Sequence, residues 1–454
     1  MNARDLANQL TGRVLSAGDD RFADARALWN CRFDHSPELA VLCQTAEDVA
    51  ACINLAQSEG LPLSVKGGGH SYAANTVADG GLLIDLSAMN QVRVDPDTRT
   101  MIVGGGATCG LVDAATQEHG LAAPLPTVSS VGVAGAALGG GTGYLSRTFG
   151  LSLDSLISVE LVTANGDHVR ASQDENSDLF WALRGGGGNF GVATSLAFRL
   201  REAGPEVLSG QIIYPLDNAA ESLSLYADFM KDAPEEFQCY AFMFRIPPVE
   251  PFPEDFHGRP ALDFVFCHQD PDAADFVQPL RELGPKILEL VGAMPYTRVQ
   301  QVFDPNLPKG QRYYSKAHYL DEISDPAIET VVTNVERMQG SFTAAYFEPL
   351  GGAIADVDPS ATAFGGRSAQ YSFHILAGWI EAADDDSVTG WARDFHGQMA
   401  SHASGGVYLN LIGDDEGQRV PAAYGHNWER LVELKQRWDP NNLFRGNYNI
   451  PPTR

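Results

Sequence analysis

Residues 64–75 read SVKGGGHSYAAN, a β-like run broken by three glycines and followed by a histidine. Gly67, Gly68 and Gly69 strip side chains from the turn, so its backbone can press against a ligand or another strand. His70 then sets a bulky, titratable imidazole on a segment otherwise built for close approach. A second cluster, PTVSSVGVAGAALGGGTGYLSRTFG, spans residues 126–150. Two separate glycine clusters with small hydroxyl residues, both next to strands, point to backbone amides approaching phosphates and a ring system. The GGGTGY within the second superficially matches the dinucleotide fingerprint. That fingerprint, however, follows a first strand and needs an acidic residue about 20 positions on. Here it falls late and runs into RTFGLSLD. Tight strand packing would explain one such cluster more easily than two.

The elements that must position these residues change character along the chain. TAEDVAACINLAQSEG predicts a helix with Thr45 as N-cap, Asp48 at the capping-box position and Gly60 as its stop. LPLSV and GLLIDLS predict strands on either side of the first glycine turn. QVRVDPDTRTMIVGGGA and ISVELVTANGDHVRAS predict hairpins, the second with Asn165-Gly166 in a type I′ turn. SDLFWALR predicts a short capped helix and VATSLAFRL a strand. Beyond AGPEV, near residue 205, the strand-like runs are YAFMFRI, ALDFVFCH, TAAYFEPL, QYSFHILAGWI and VYLNLIG, with helical segments between them. An antiparallel sheet with helices on one face fits that texture. HNWERLVELKQRW predicts one amphipathic helix, broken by Asp439-Pro440.

The chain has 454 residues, 44% of them hydrophobic, which is material for two domains or three. A formal charge of −27 argues against nucleic acid or an anionic membrane as partner. No run approaches the roughly 20 apolar residues of a membrane helix, and MNARDLANQLTGRVL lacks the apolar region of an export signal. A cytoplasmic protein is expected, monomeric or homodimeric. Six cysteines without CxxC or paired spacing read as buried thiols, and no metal site is expected.

Five segments in this order resemble the berberine-bridge-enzyme-like branch of the vanillyl-alcohol-oxidase family. They are VKGGGHS, SSVGVAGAALGGGTGYLSR, LFWALRGGGGNFGVATS, EPLGGAIADVDPSATAFGGR and WDPNNLFRGNYNIPP. The resemblance covers nearly the whole chain. It implies an α+β protein with a two-part PCMH-type FAD-binding domain at residues 1–205, its core at about 34–203. An antiparallel-sheet substrate domain at 206–412 and a C-terminal return at 413–454 complete the expected organisation. The implied cofactor is FAD, bonded through its 8α-methyl to His70. Many relatives carry a cysteine for a second bond; Val128 stands at that position, so a single link is expected. Val131 matches the gate that admits dioxygen to the flavin. The resemblance further implies contacts from Lys66, Gly67, Gly68, Gly69, Ser71, Leu86 and Ser87 near the first turn. Ser129, Ser130, Gly132, Val133, Gly135, Gly140, Thr142 and Gly143 would line the second, and Val192 the adenine. Asn447, Tyr448 and Asn449 would return to the ring, where bacterial relatives usually have Asn-Gln-Asn. Trp29 and Asn30 are further candidates for contact, against the commoner fate of a packed tryptophan.

The implied reaction is oxidation of a C–H next to oxygen or nitrogen in a small molecule, with hydride delivered to flavin N5 and hydrogen peroxide formed from dioxygen. It needs a base for the O–H or N–H proton. Tyr346 and Glu348 share one face of their strand, as do Tyr408 and Asn410 of theirs, while Phe373 and Ile375 point away from His374. Tyr144, Tyr448, Tyr408, Asn410, Glu348 and His374 form the pool for base and substrate clamps, led by Tyr408 and Asn410. A half-wet sheet also turns polar residues outward with no catalytic role. The other readings are a dehydrogenase with a different electron acceptor and a flavin- or nucleotide-binding protein without turnover.

Overall fold

The computed structural model describes residues 9–73 and 76–453. The start of the stretch read above for an export signal lies outside the described residues, as do Ala74 and Asn75 of the first glycine segment.

Two small sheets and a two-stranded pair, Leu121–Ala122 with Arg201–Glu202, make up the first half of the chain. A four-stranded sheet has the order Arg13–Leu15, Leu39–Leu42, Leu82–Asp85, Leu63–Lys66, with its last three strands parallel. Between its second and fourth strands runs the helix Ala46–Glu59. Its Thr45–Asp48 capping box and left-handed Gly60 are both present, as the sequence predicts. The second sheet is antiparallel, in the order Val92–Asp95, Thr100–Gly104, Val192–Arg199, Leu156–Val162, His168–Ser172. Both predicted hairpins are here, but the turn at Asn165-Gly166 is not type I′. Gly166 is left-handed at φ +80° while Asn165 is not, and Gly166 donates its N–H to the Thr163 carbonyl. This is a type I turn closed by a left-handed glycine, which also matches strand twist. The helix Ser177–Leu183 starts at Asn176 without a side-chain cap.

The second half is one seven-stranded antiparallel sheet. Its order is Leu288–Pro295, Glu206–Pro215, Pro260–His268, Phe237–Arg245, Ala344–Pro349, Tyr371–Trp379, Arg312–Leu320. Helices Ala219–Lys231, Asp325–Glu336 and Asp385–Met399 cover one face, where Phe264, Phe347, Phe373 and Ile375 meet Leu223, Val331 and Phe395 in a core. Period-2 alternation therefore sends Tyr240, Tyr346, Glu348 and His374 to the opposite face. Four of the five strand-like runs are strands. VYLNLIG is not: Leu409–Leu411 form a 3₁₀ turn off the sheet, because Tyr408 and Asn410 bond across to the end of another helix. The strands at 206–215, 288–295 and 312–320 escaped prediction. All six cysteines are free, and Cys31 is exposed rather than buried.

The last helix, Trp428–Trp438, returns the chain to the first lobe. Its Lys435 is fully buried and donates to the Asn189 carbonyl, the Asp439 carboxylate and the Phe444 carbonyl at 2.7, 2.7 and 2.8 Å. Asp439 in turn accepts the amides of Leu443 and Phe444. Removing one member of such a pair strands a buried charge. Lys435→Met is expected to cost about 3–5 kcal/mol in chemical denaturation. Arg437→Met, breaking an exposed pair with Asp178, should change stability by less than about 1 kcal/mol.

Candidate active site

The two glycine clusters meet. A methyl group placed on Gly68 would lie 2.3 Å from the Gly132 nitrogen, so neither backbone has room for a side chain. At Gly132 the chain enters a short helix, Val133–Gly139, whose N-terminal end faces the Gly67–Gly69 turn. The amides of Gly68, Gly69, His70 and Ser71 have no protein acceptor among the described residues. Free amides beside a helix start suit a pyrophosphate. From this cradle one continuous cavity of about 840 Å³ runs to the polar face of the large sheet. That is the upper part of the ~300–1,000 Å³ range of small-molecule sites.

The cavity wall takes in Gly67, Gly68, Gly69, His70, Ser71, Leu86, Val128, Gly132, Gly135, Thr142, Val192, Asn447 and Tyr448, all expected cofactor contacts, together with Val131, the expected gate. Glu348, Tyr408 and Asn410 line its far part. Lys66 does not reach it: the parallel register sets Lys66 against Asp85, and its ammonium is held 2.8 Å from that carboxylate. Ser87, Ser129, Ser130, Val133, Gly140, Gly143 and Asn449 do not line it. Tyr144 is also excluded, because its ring is buried between the lobes against Tyr240. Asn30 is a structural tie, bonded to the carbonyls of Tyr72 and Tyr313 at 2.9 Å. Trp29 packs between Tyr313, at 3.7 Å, and His70, at 5.0 Å.

His70 is held at Nε2 by the Ser130 hydroxyl at 2.7 Å, and its Nδ1 has no partner among the described residues. Burial, then the Lys309 ammonium, draws the imidazole down to about 4, so it is neutral and nucleophilic at neutral pH. Glu348 is buried, and the lost hydration pushes its carboxyl up to about 7, against a hydrogen bond from Thr142 and one from Tyr240 at 3.4 Å. Tyr408 accepts the Gly141 amide at 2.6 Å and Asn410 at 3.0 Å, and Asn410 also donates to the Ala136 carbonyl at 3.1 Å. Asn410 therefore holds the end of the Val133–Gly139 helix and Tyr408 the amide just beyond it, and both face the cavity. Tyr448 spends its hydroxyl on the Ile412 carbonyl, joining the C-terminal return to the same segment.

Tyr72, Tyr240 and Phe242 also line the cavity and were not singled out from sequence, and the Gly185–Asn189 turn, within LFWALRGGGGNFGVATS, lines it too. The alternation of YAFMFRI was the one available signal for Tyr240 and Phe242. A two-part α+β lobe under an antiparallel roof defines the PCMH-type flavoprotein fold.

Comparisons with known proteins agree. The model described as FAD binding domain matches residues 37–172, and that described as berberine and berberine like matches residues 407–451. The uncharacterized FAD-linked oxidoreductase YvdP of Bacillus subtilis is 30% identical over 455 residues, covering 99% of this chain and 100% of its own. The crystal structure of 6-hydroxy-D-nicotine oxidase from Arthrobacter nicotinovorans superposes over 100% of both chains with a TM-score of 0.88 and 26% identity. Xylooligosaccharide oxidase from Myceliophthora thermophila, solved with xylobiose, gives a TM-score of 0.84 at 26% identity, covering 99% of this chain and 98% of its own. The chain belongs to the FAD-linked oxidoreductases with a berberine-like C-terminal segment. It is an enzyme of that family.

The residues present fit FAD. The cradle is free of side chains, and the amides of Gly68, Gly69, His70 and Ser71 have no protein acceptor among the described residues. A methyl at Gly188 would lie 2.4 Å from the Asn447 amide group, so Asn447 sits directly over that turn. Gly68→Ala is expected to leave the purified protein with most of its flavin absorbance lost. Gly18→Ala, with open space around it, should match wild type.

Proposed function

We propose that this protein is an oxidase that takes a hydride from a CH–OH or CH–NH group of a small organic molecule and passes the electrons to dioxygen. The observation that carries the reading is the single cavity joining the glycine cradle and His70 to a polar wall of Glu348, Tyr408 and Asn410. When bound, FAD supplies the hydride acceptor and, with dioxygen, the route to hydrogen peroxide. His70 holds it by one covalent bond from Nδ1, the nitrogen that Ser130 leaves free. Val128 lines the cavity where a thiol would be needed for a second bond. Val131, half-buried in the wall, leaves room for dioxygen. Glu348 and Tyr408 hold the polar group of the substrate, and the aromatic rings of Tyr72, Tyr240 and Phe242 shut out water around it.

The relatives named for oxidising 6-hydroxynicotine and xylooligosaccharides set the first compounds to try. Peroxide formed in air from a panel of amines, alcohols and oligosaccharides supports the oxidase. Flavin reduction under argon without peroxide in air would mark a dehydrogenase instead.

Acid precipitation of wild type should carry the flavin down with the polypeptide, and peptide mapping should find one flavin-bearing peptide, containing His70. His70→Ala should release its flavin into the acid supernatant. A flavin on a cysteine peptide would refute the single link.

Val131→Leu adds one methylene to the wall without charge. Stopped-flow should show flavin reduction by substrate little changed and reoxidation slowed about ten-fold or more, above about 1.4 kcal/mol on that barrier. Reoxidation as fast as wild type would remove Val131 as the gate.

A further inference from the structure

Behind the cavity wall a chain of hydrogen bonds has only one possible direction. Tyr346 lines the cavity, and its hydroxyl lies 2.6 Å from His374 Nδ1. His374 is fully buried, and its Nε2 lies 2.7 Å from the Ser315 hydroxyl. That hydroxyl donates to the Leu411 carbonyl. A carbonyl only accepts, and a serine has one hydrogen to give. Ser315 therefore must accept from Nε2–H, which leaves Nδ1 bare, and Tyr346 must donate its O–H to Nδ1. The direction is set by Leu411, in the segment that also carries Tyr408 and Asn410.

We infer that Tyr346 is the group that takes the substrate proton, with His374 as the acceptor behind it and Ser315 as the positioning residue that fixes the imidazole tautomer. The inference rests on the oxidase reading and supplies the base that reading needs. In the step, the substrate C–H hydrogen leaves with its electron pair to the flavin, the oxidant. The O–H (or N–H) bond breaks and its proton goes to Tyr346 Oη. The proton of Tyr346 moves to His374 Nδ1, and the substrate gains a C=O or C=N bond. His374 returns the proton through Tyr346 to water once product leaves. Burial lowers the imidazole to about 3, so it is uncharged at rest and free to accept. A substrate losing hydride becomes far more acidic than an imidazolium, so the transfer still runs downhill. Edge-on rings of Tyr72, at 5.6 Å, and Tyr346, at 4.9 Å, fix the imidazole plane. Phe242 stacks on Tyr346 at 4.3 Å, which fixes the phenol.

The first measurement needs no substrate. In ¹⁵N-histidine-labelled holoenzyme, the resonance that His374→Gln removes should show a protonated Nε2 and a bare Nδ1. Ser315→Ala should mix the tautomers. A protonated Nδ1 in wild type would overturn the relay. The second measurement is anaerobic flavin reduction with 6-hydroxynicotine and with xylobiose as reductants. Tyr346→Phe keeps the ring and should slow reduction about 100-fold or more. His374→Gln can still accept from Tyr346 and donate to Ser315 but takes no proton. It should slow reduction comparably and lose the solvent deuterium isotope effect, with flavin content unchanged. Wild-type rates in either variant overturn the proposal. If neither compound reduces the wild-type flavin, that counts against the oxidase reading, while the His374 tautomer still decides the relay.

Discussion

The whole site depends on one contact between two backbones. Gly68 and Gly132 approach so closely that a single methyl on either would collide with the other chain's main-chain atoms. That approach brings the turn carrying His70 onto the start of the Val133–Gly139 helix, and it leaves amides rather than side chains facing the cavity. Everything downstream follows from it. Ser130, two residues before Gly132, comes within reach of His70 Nε2, and Val128 and Val131 enter the wall on the same loop.

A closed site also needs its roof and floor tied together, and the chain does this with polar side chains doing double service. Asn410 donates to the Ala136 carbonyl near the end of the Val133–Gly139 helix, and Tyr408 accepts the Gly141 amide just beyond it. The same short segment accepts Tyr448 from the C-terminal return and Ser315 from the large sheet. Lobe, roof and tail therefore converge on residues 408–412. A strand there would have pointed its groups into a ladder; the 3₁₀ turn frees them to reach three other elements.

The large sheet divides its labour by face. One face is sealed by three helices over a large apolar core, with buried Lys316 and His318 on its edge strand, where His318 stacks on His396 of the covering helix. On the other, burial without hydration raises the Glu348 carboxyl to about 7 and lowers the His374 imidazole, so the imidazole is uncharged and the carboxyl is partly protonated at neutral pH. That face resembles a reaction chamber more than a wet surface: its polar groups point at one another and at the cavity. The scarcity of charge there is what lets proton transfer between neutral partners compete.

Much of this was legible in the sequence because it was local. The Thr45 capping box, the hairpins and the helix stop at Gly60 are set by neighbours within a few positions, and the glycine clusters announce close approach wherever they lie. Alternation alone put Tyr346 and Glu348 on one face of their strand and turned Phe373 away from His374 on theirs; the strand register brought Tyr346, Glu348 and His374 to one face. The resemblance carried by five motifs supplied FAD and the role of His70. Other features were decided only by tertiary structure. Lys66 and Ser71 read alike as neighbours of a glycine turn, yet strand register gives Lys66 to Asp85 and leaves Ser71 on the cavity. Tyr144 and Tyr408 are both tyrosines near glycines, but only packing between the lobes buries the first and exposes the second to the site. The 3₁₀ turn at Leu409–Leu411 was misjudged because the partners of Tyr408 and Asn410 lie outside any local window, whereas the type I turn at Gly166 closes locally on the Thr163 carbonyl. Tyr346, His374, Ser315 and Leu411 come from four separate segments. Sequence determines the residue at each position; the direction of a proton chain exists only once folding has brought its carbonyl end into place.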